Sequence, residues 1–175
     1  MGLFFGTDGL RGIINEDLTQ NIAYKIGNAL SILTENPTIV IGCDTRISNT
    51  YLTLAVANGA MSGGAKVIDV GVLPTAGIAF ITKTIGADYG VVISASHNSA
   101  EYNGIKVFDK KGYKLSDKEE ERIERCFIRE KINVFPNTQI GRQAQRRSAK
   151  GQALCHSAHA RGHPYISFFG HTASA

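Results

Sequence analysis

The sequence lacks several features that would point to particular classes of protein. No apolar run approaches the roughly 18 residues that a membrane-spanning helix needs, and the amino terminus lacks the basic flank and long apolar stretch of a secretory signal. The three cysteines are far apart and form no Cys-x-x-Cys pair, which argues against a zinc site or a disulfide framework. These absences predict a cytosolic protein without a membrane span, and 175 residues suffice to bury a hydrophobic core.

Acidic residues are absent from the last part of the chain. All 15 Asp and Glu residues lie in residues 1–142, whereas residues 143–175 hold four basic residues and four of the five histidines. The net charge of +4 therefore comes from that tail and does not indicate a nucleic-acid-binding face. No acidic partner accompanies the histidines, so we predict no metal site among them. We predict a domain over residues 1–142 and an unrelated tail over 143–175 that is disordered or translated out of frame.

The first 142 residues alternate between short β-rich runs and amphipathic helical patterns. Four strands with both faces buried are predicted at residues 38–42, 66–71, 89–94 and 104–108. Helices are predicted after Thr19, after Ser48 and after Pro74, and a fourth after the capping box of Ser116 and Glu119. This alternation is typical of a layered α/β domain, and we predict a three-layer α/β/α arrangement.

Two polar loops carry the strongest indications of chemistry. The segment 91–98 (VVISASHN) is a buried strand that ends in small polar residues, and ligands of α/β sheets bind beyond the carboxyl ends of strands. Backbone N–H groups around Ser96 would suit a phosphate, although an ordinary polar turn has the same composition. We expect Ser94 to point to the other side of the strand. The second loop, at residues 5–12, combines glycines with Arg11, a residue suited to forked phosphate contacts.

Five segments occur in a specific order along the chain. They read FGTDGLRG (5–12), GCDTRIS (42–48), GVLPT (71–75), ISASHN (93–98) and NGIKVF (103–108). Over residues 3–142 this ordered set resembles the α-D-phosphohexomutase superfamily, and most of all its bacterial phosphoglucosamine mutase branch. The resemblance implies the first-domain fold of that superfamily, which is an α/β/α sandwich around a mixed, mostly parallel sheet.

The resemblance also implies roles for individual residues. Ser96 would be a phosphoserine that phosphorylates a sugar monophosphate and then takes back the other phosphate of the bisphosphate intermediate. The substrate would be a phosphorylated hexose or hexosamine, glucosamine phosphate by the branch resemblance, and Mg²⁺ would bind the serine phosphate. Acid–base or electrostatic assistance would come from Lys106 and His97. The remaining residues implied to bind phosphate are Thr7, Arg11 and Asn98.

Three elements of that superfamily are missing from the sequence. There is no Asp-Gly-Asp-x-Asp-Arg metal loop, no Gly-Glu-x-Ser-Gly sugar loop and no recognisable carboxyl-terminal phosphate loop. Members have four domains around one cleft, so the missing carboxyl-terminal domains would be the natural packing partner of this one. Two alternatives therefore stay open: an inactive fragment that at most binds phosphate, and a phosphomannomutase/phosphoglucomutase relative. A serine hydrolase and a dinucleotide-binding protein are disfavoured, because G-x-S-x-G and G-x-G-x-x-G are both absent.

Overall fold

The computed structural model of the chain describes residues 5–6 and 9–128, without the side chains of Phe127 and Ile128. Thr7, Cys155 and the predicted tail at 143–175 lie outside the described residues. Within the described ranges, no helix combines the length and apolar composition of a membrane span. The strands found there are β1 (Leu10–Ile13), β2 (Thr38–Cys43), β3 (Lys66–Val72), β4 (Tyr89–Ile93) and β5 (Tyr102–Asp109). The helices are α1 (Gln20–Leu33), α2 (Asn49–Ser62), α3 (Thr75–Thr84) and α4 (Asp117–Ile128).

The strands form one sheet in the order β1-β5-β4-β2-β3. Strand β2 pairs in parallel with β3 and β4, whereas β5 pairs antiparallel with β4 and β1. Four strands therefore run one way and β5 runs the other, which confirms the mixed, mostly parallel sheet. Strand β1 is not among the predicted strands, because its four residues lie inside a glycine-rich segment that has no strand-like alternation.

Helices cover both faces of the sheet and confirm the three-layer arrangement. The larger core lies under α1, α2 and α4 and takes alternate residues of the central strands, such as Ile41, Val91 and Ile105. The smaller core lies under α3, where Ile78 packs with Val40 and Val92 from the opposite face. The prediction that every strand is buried on both faces is wrong for β3. That strand lies at the sheet edge, and most of its residues are exposed or half-exposed.

All four predicted helix starts are confirmed in position, and only the capping bond expected of Ser48 is absent. Thr19 Oγ1 accepts a hydrogen bond from the Ile22 N–H at 3.3 Å, as an N-cap does. The Ser116 N–H donates to Glu119 Oε2 at 3.0 Å, which is half of the predicted capping box. Ser48 occupies the N-cap position of α2 but makes no capping bond, because its hydroxyl accepts a hydrogen bond from Asn103.

Helices α1 and α2 contact each other through a glycine of each helix. A Cβ added at Gly59 would overlap the carbonyl oxygen of Tyr24, and one added at Gly27 would overlap that of Val56. Since a side chain at either position would collide with backbone, the two glycines set how closely α2 lies against α1.

Candidate active site

Ser96 lies on the loop that leaves β4, the central strand of the sheet, at its carboxyl end. Its side chain is exposed, and its Oγ is 3.4 Å from His97 Nδ1. Ser96 adopts a φ of 58°, in the left-handed region that residues other than glycine rarely occupy. The loop therefore presents a hydroxyl to solvent in a backbone conformation that the surrounding contacts must maintain.

Ser94 lies directly beneath Ser96, and the expectation that it points to the other side of the strand is wrong. β4 ends at Ile93, so both serines belong to the loop that follows it, and the Ser96 N–H donates to Ser94 Oγ at 3.0 Å. The Ser94 hydroxyl in turn donates to Asp44 Oδ2 at 2.7 Å, and the residue is only 8% exposed. Of these two serines, Ser96 alone offers an accessible hydroxyl.

The carboxylate of Asp44 accepts several of the hydrogen bonds in this region. Asp44 follows β2, the parallel neighbour of β4. Besides Ser94, its carboxylate accepts hydrogen bonds from Asn49 Nδ2 at 2.7 Å and from the Arg46 backbone N–H at 3.0 Å and Nε at 3.2 Å. Burial alone would raise the pKa of Asp44, but the bonds from Ser94, Asn49 and Arg46 outweigh it and lower the pKa. Asp44 is therefore a firmly ionised anchor beneath the Ser96 loop.

Arg46 is the residue that the sequence analysis missed. Its Nη1 donates to the carbonyl oxygens of Ser99 and Tyr102 at 2.7 and 2.9 Å. Its Nη2 donates to those of Ser96 and Asn98 at 3.1 and 2.6 Å. The only signal in the sequence was its position in the segment 42–48 after β2, to which no role was given. One side chain thus contacts four carbonyl groups of the loop that carries Ser96.

A second set of polar contacts joins the start of β5 to the start of α2. Asn103 is fully buried, and its Nδ2 donates to Ser48 Oγ and to Asn49 Oδ1, both at 2.7 Å. Its Oδ1 accepts a hydrogen bond from the Gly104 N–H at 2.8 Å. Because Asn49 also bonds Asp44, both ends of the Ser96 loop connect to one hydrogen-bonded network.

Arg11 lies on β1 opposite Gly104 of β5, and the Ser94 N–H bonds the Gly104 carbonyl at 2.9 Å. A Cβ at Gly104 would lie 3.0 Å from Arg11 Cγ and 2.7 Å from the Ser94 carbonyl oxygen. The stem of Arg11 therefore occupies the space that Gly104 leaves open, and the Ser94 carbonyl oxygen borders the same space.

Three other predicted residues, Lys106, His97 and Asn98, lie near the carboxyl end of β4. Lys106 lies opposite Val92 and on the same face of the sheet as Gly104. Its Cγ would be 3.0 Å from a Cβ added at Gly9. His97 is exposed beside Ser96, and Asn98 is half-buried, with its carbonyl held by Arg46. Thr7 lies outside the described residues.

The described residues do not by themselves form a Mg²⁺ site. They include no group of three or more His, Cys, Asp or Glu side chains placed to hold a metal ion. The carboxylate of Asp44 already accepts two hydrogen bonds on each oxygen. Since Mg²⁺ prefers oxygen ligands in octahedral geometry, a phosphate on Ser96 would be its main ligand here.

Residues 2–133 match the family described as phosphoglucomutase/phosphomannomutase, alpha/beta/alpha domain I. The chain is 51% identical over 152 residues to a phosphoglucosamine mutase of Clostridium botulinum (strain Kyoto / Type A2), an alignment that covers 83% of this chain and 34% of the relative. It is 46% identical over 156 residues to a phosphoglucosamine mutase of Clostridium acetobutylicum, covering 86% of this chain and 35% of the relative.

Among solved structures, the chain is similar to a protein assigned as a phosphomannomutase from Thermus thermophilus. The TM-score is 0.66 at 27% sequence identity, and the match covers 75% of this chain and 30% of that one. The chain therefore spans about a third of the length of the curated relatives that it matches.

Proposed function

The chain belongs to the phosphoglucomutase/phosphomannomutase family, and from this membership we propose that it forms the part of a phosphohexose mutase that carries the phosphoryl group on Ser96. The exposed hydroxyl of Ser96, held at the carboxyl end of the central strand by a buried polar network, is the observation that carries the proposal. The names of the two clostridial relatives favour glucosamine phosphate as the sugar, with glucosamine 6-phosphate converted to glucosamine 1-phosphate.

In the proposed reaction, a sugar hydroxyl attacks the phosphorus on Ser96, and the bond between phosphorus and Oγ breaks. The sugar hydroxyl gives up its proton and the departing Oγ needs one, and His97, whose Nδ1 lies 3.4 Å from Oγ, is placed to take the first proton and return it to Oγ. After the sugar bisphosphate turns, Ser96 Oγ attacks its other phosphate and releases the isomeric monophosphate. Arg11 and Lys106 would offset the negative charge that accumulates during both transfers, and Thr7 and Asn98 would bind phosphate oxygens.

Bound Mg²⁺ would neutralise charge on the phosphoryl group. The described residues would contribute only the Ser96 phosphate to that ion, so its remaining ligands would come from outside them. The sequence also has no Asp-Gly-Asp-x-Asp-Arg metal loop, so we expect no efficient turnover by the 175-residue chain alone. Remote contacts that hold the bisphosphate supply much of the binding energy for catalysis, and this chain spans about a third of its relatives.

The other hydroxyls of the loop are poor carriers. Ser94 is buried and donates its proton to Asp44. Ser99 Oγ donates to Glu101 Oε1 at 2.7 Å, and that bond lowers the pKa of Glu101 and keeps it anionic. A phosphate on Ser99 would therefore lie against a carboxylate and be repelled by it.

Three finer points remain predictions: the domain boundary at residue 142 with an unrelated tail at 143–175, the cytosolic location and the sugar. The second candidate function is an inactive fragment that at most binds phosphate. The absence of an Asp-Gly-Asp-x-Asp-Arg metal loop from these 175 residues favours that alternative.

The test is to incubate the purified chain with glucosamine 1,6-bisphosphate and Mg²⁺ and to map the phosphorylated peptide by mass spectrometry. We expect the phosphate on Ser96, its loss in Ser96→Ala and its retention in the matched control Ser99→Ala, because a missing nucleophile is not replaced by a neighbouring hydroxyl. Phosphate found on Ser94 or Ser99 would contradict the assignment, whereas an unlabelled wild-type chain would support the inactive fragment.

A further inference from the structure

We propose that Arg46 is a positioning residue for Ser96, the serine that carries the phosphoryl group. It would fix the backbone of residues 96–102 through hydrogen bonds to loop carbonyls and would not contact the phosphate. The inference rests on the proposed function of Ser96. No role for Arg46 was predicted from the sequence. The supporting observation is that every hydrogen-bond donor of its guanidinium group has a partner within the protein.

All five N–H donors of the Arg46 guanidinium are used within the protein. Nε donates to Asp44 Oδ2, while Nη1 and Nη2 together donate to the four loop carbonyls of Ser96, Asn98, Ser99 and Tyr102. The side chain is only 14% exposed. Arg46 therefore has no donor left for a phosphate oxygen.

Besides Arg46, the loop is held by the bond from the Ser96 N–H to Ser94 Oγ at 3.0 Å and by the bond from the Ile14 N–H to the Glu101 carbonyl at 2.9 Å, neither of which is made by residues 97–100. Its own backbone bonds are those from the Asn98 N–H to the Ala95 carbonyl at 3.2 Å and from the Tyr102 N–H to the Ser99 carbonyl at 3.1 Å. Residue 99 is a serine, so no proline ring restricts the backbone there. Ser96 is held at a positive φ, which is unfavourable for a residue that is not glycine. The bond from Arg46 to the Ser96 carbonyl lies at that strained residue.

The planar fork of arginine is essential to this arrangement. Four carbonyl oxygens approach two nitrogens of one rigid plane, and the third nitrogen bonds Asp44, which fixes the orientation of the plane. A lysine at this position would keep the charge beside Asp44 but would offer one nitrogen with three donors. It could not serve four carbonyls and Asp44 together.

Loss of Arg46 and loss of Arg11 should therefore affect different kinetic parameters of phosphoryl transfer. Loss of Arg46 should misplace the Ser96 hydroxyl and lower the maximal rate at which Ser96 is phosphorylated. It should leave the half-saturating concentration of the phosphoryl donor unchanged, because no donor of Arg46 reaches the ligand. Replacement of Arg11, a proposed phosphate contact, should instead raise the half-saturating concentration.

The test compares Arg46→Ala and Arg46→Lys with the wild-type chain and with Arg122→Ala, an exposed arginine of α4 as the matched control. Hydrogen exchange is measured at the amides of Asn98 and Tyr102, with Val91 in β4 as the internal reference. In both Arg46 variants we expect at least about tenfold faster exchange at the two loop amides, since the lost hydrogen bonds involve a charged group, and no change at Val91. The control should behave like the wild-type chain at all three amides.

The second measurement is the rate of Ser96 phosphorylation by glucosamine 1,6-bisphosphate at several donor concentrations. We expect at least about a tenfold lower maximal rate in Arg46→Lys with an unchanged half-saturating concentration. The lysine variant keeps the ion pair with Asp44, so it tests the inference even if Arg46→Ala does not fold.

Unchanged loop exchange in the lysine variant would overturn the inference, and so would a raised half-saturating concentration with an unchanged maximal rate. If the wild-type chain accepts no phosphoryl group, the proposed function fails. The exchange ratios then still decide whether Arg46 holds the loop.

Discussion

Replacing Asp44 with asparagine should destabilise the domain and do so in a pH-dependent way. In the wild-type chain each carboxylate oxygen accepts two hydrogen bonds, from Arg46, Asn49 and Ser94. In Asp44→Asn one of these oxygens becomes an NH₂ group that faces donors, whichever way the amide is turned. Two charge-assisted bonds are lost, and the donors that made them are left partly buried.

The expected loss follows from those two bonds. A hydrogen bond to a charged group contributes about 1.5–3 kcal/mol to stability, and the Asp44 side chain is 29% exposed, so the lower end of that range applies. We therefore expect Asp44→Asn to lower the free energy of unfolding by about 2–3 kcal/mol at neutral pH.

The pH dependence follows from the lowered pKa of Asp44. The model-compound pKa is 3.8 and the folded value is lower, so on acidification the unfolded chain binds this proton first. The contribution of Asp44 to stability is complete above the unfolded pKa and is lost as the pH falls through the folded pKa. Asparagine has no proton to bind, so the stability difference between the two proteins should shrink below about pH 4.

Urea unfolding followed by circular dichroism at several pH values between about 7 and 3 measures this difference. The matched control is Glu35→Gln, which neutralises an exposed carboxylate and should change stability by less than about 0.5 kcal/mol. A difference between Asp44→Asn and wild type that stays constant across this pH range, or grows on acidification, would refute the reasoning.

Two further predictions concern glycines. Gly104→Ala should lower the free energy of unfolding by about 1–3 kcal/mol in urea titrations, because its Cβ would lie 2.7 Å from the Ser94 carbonyl oxygen and 3.0 Å from Arg11 Cγ. Wild-type stability in this variant would show that Arg11 and Ser94 do not approach each other across Gly104. Gly59→Ala should also destabilise, because the added Cβ overlaps the Tyr24 carbonyl oxygen. Gly77→Ala in α3, where the nearest atom is 3.9 Å away, should instead stabilise by up to about 1 kcal/mol, and thermal unfolding of the pair tests the contrast.

The elements that could be predicted from the sequence are those whose signal lies in neighbouring residues. The apolar runs of β2, β4 and β5, the helical repeats of α1 and α2, and the capping box at Ser116 are each contained within a single element. The same holds for the loop that carries Ser96, since a buried strand that ends in small polar residues is a local pattern. These segments keep their conformations because burial and backbone hydrogen bonding satisfy each of them in turn.

Only the tertiary structure decided what the polar side chains do. Arg46 bonds carbonyls 50 to 56 residues away, and Asn103 reaches Ser48 and Asn49 over similar separations. Those partners become neighbours only because β4 lies between β2 and β5 in the sheet, an order that no local pattern specifies. The sequence alone therefore indicates that a serine-bearing loop follows the buried strand, whereas the packing of three strands determines which hydroxyl is exposed and which arginine holds the loop, because hydrogen-bond partners depend on proximity in space.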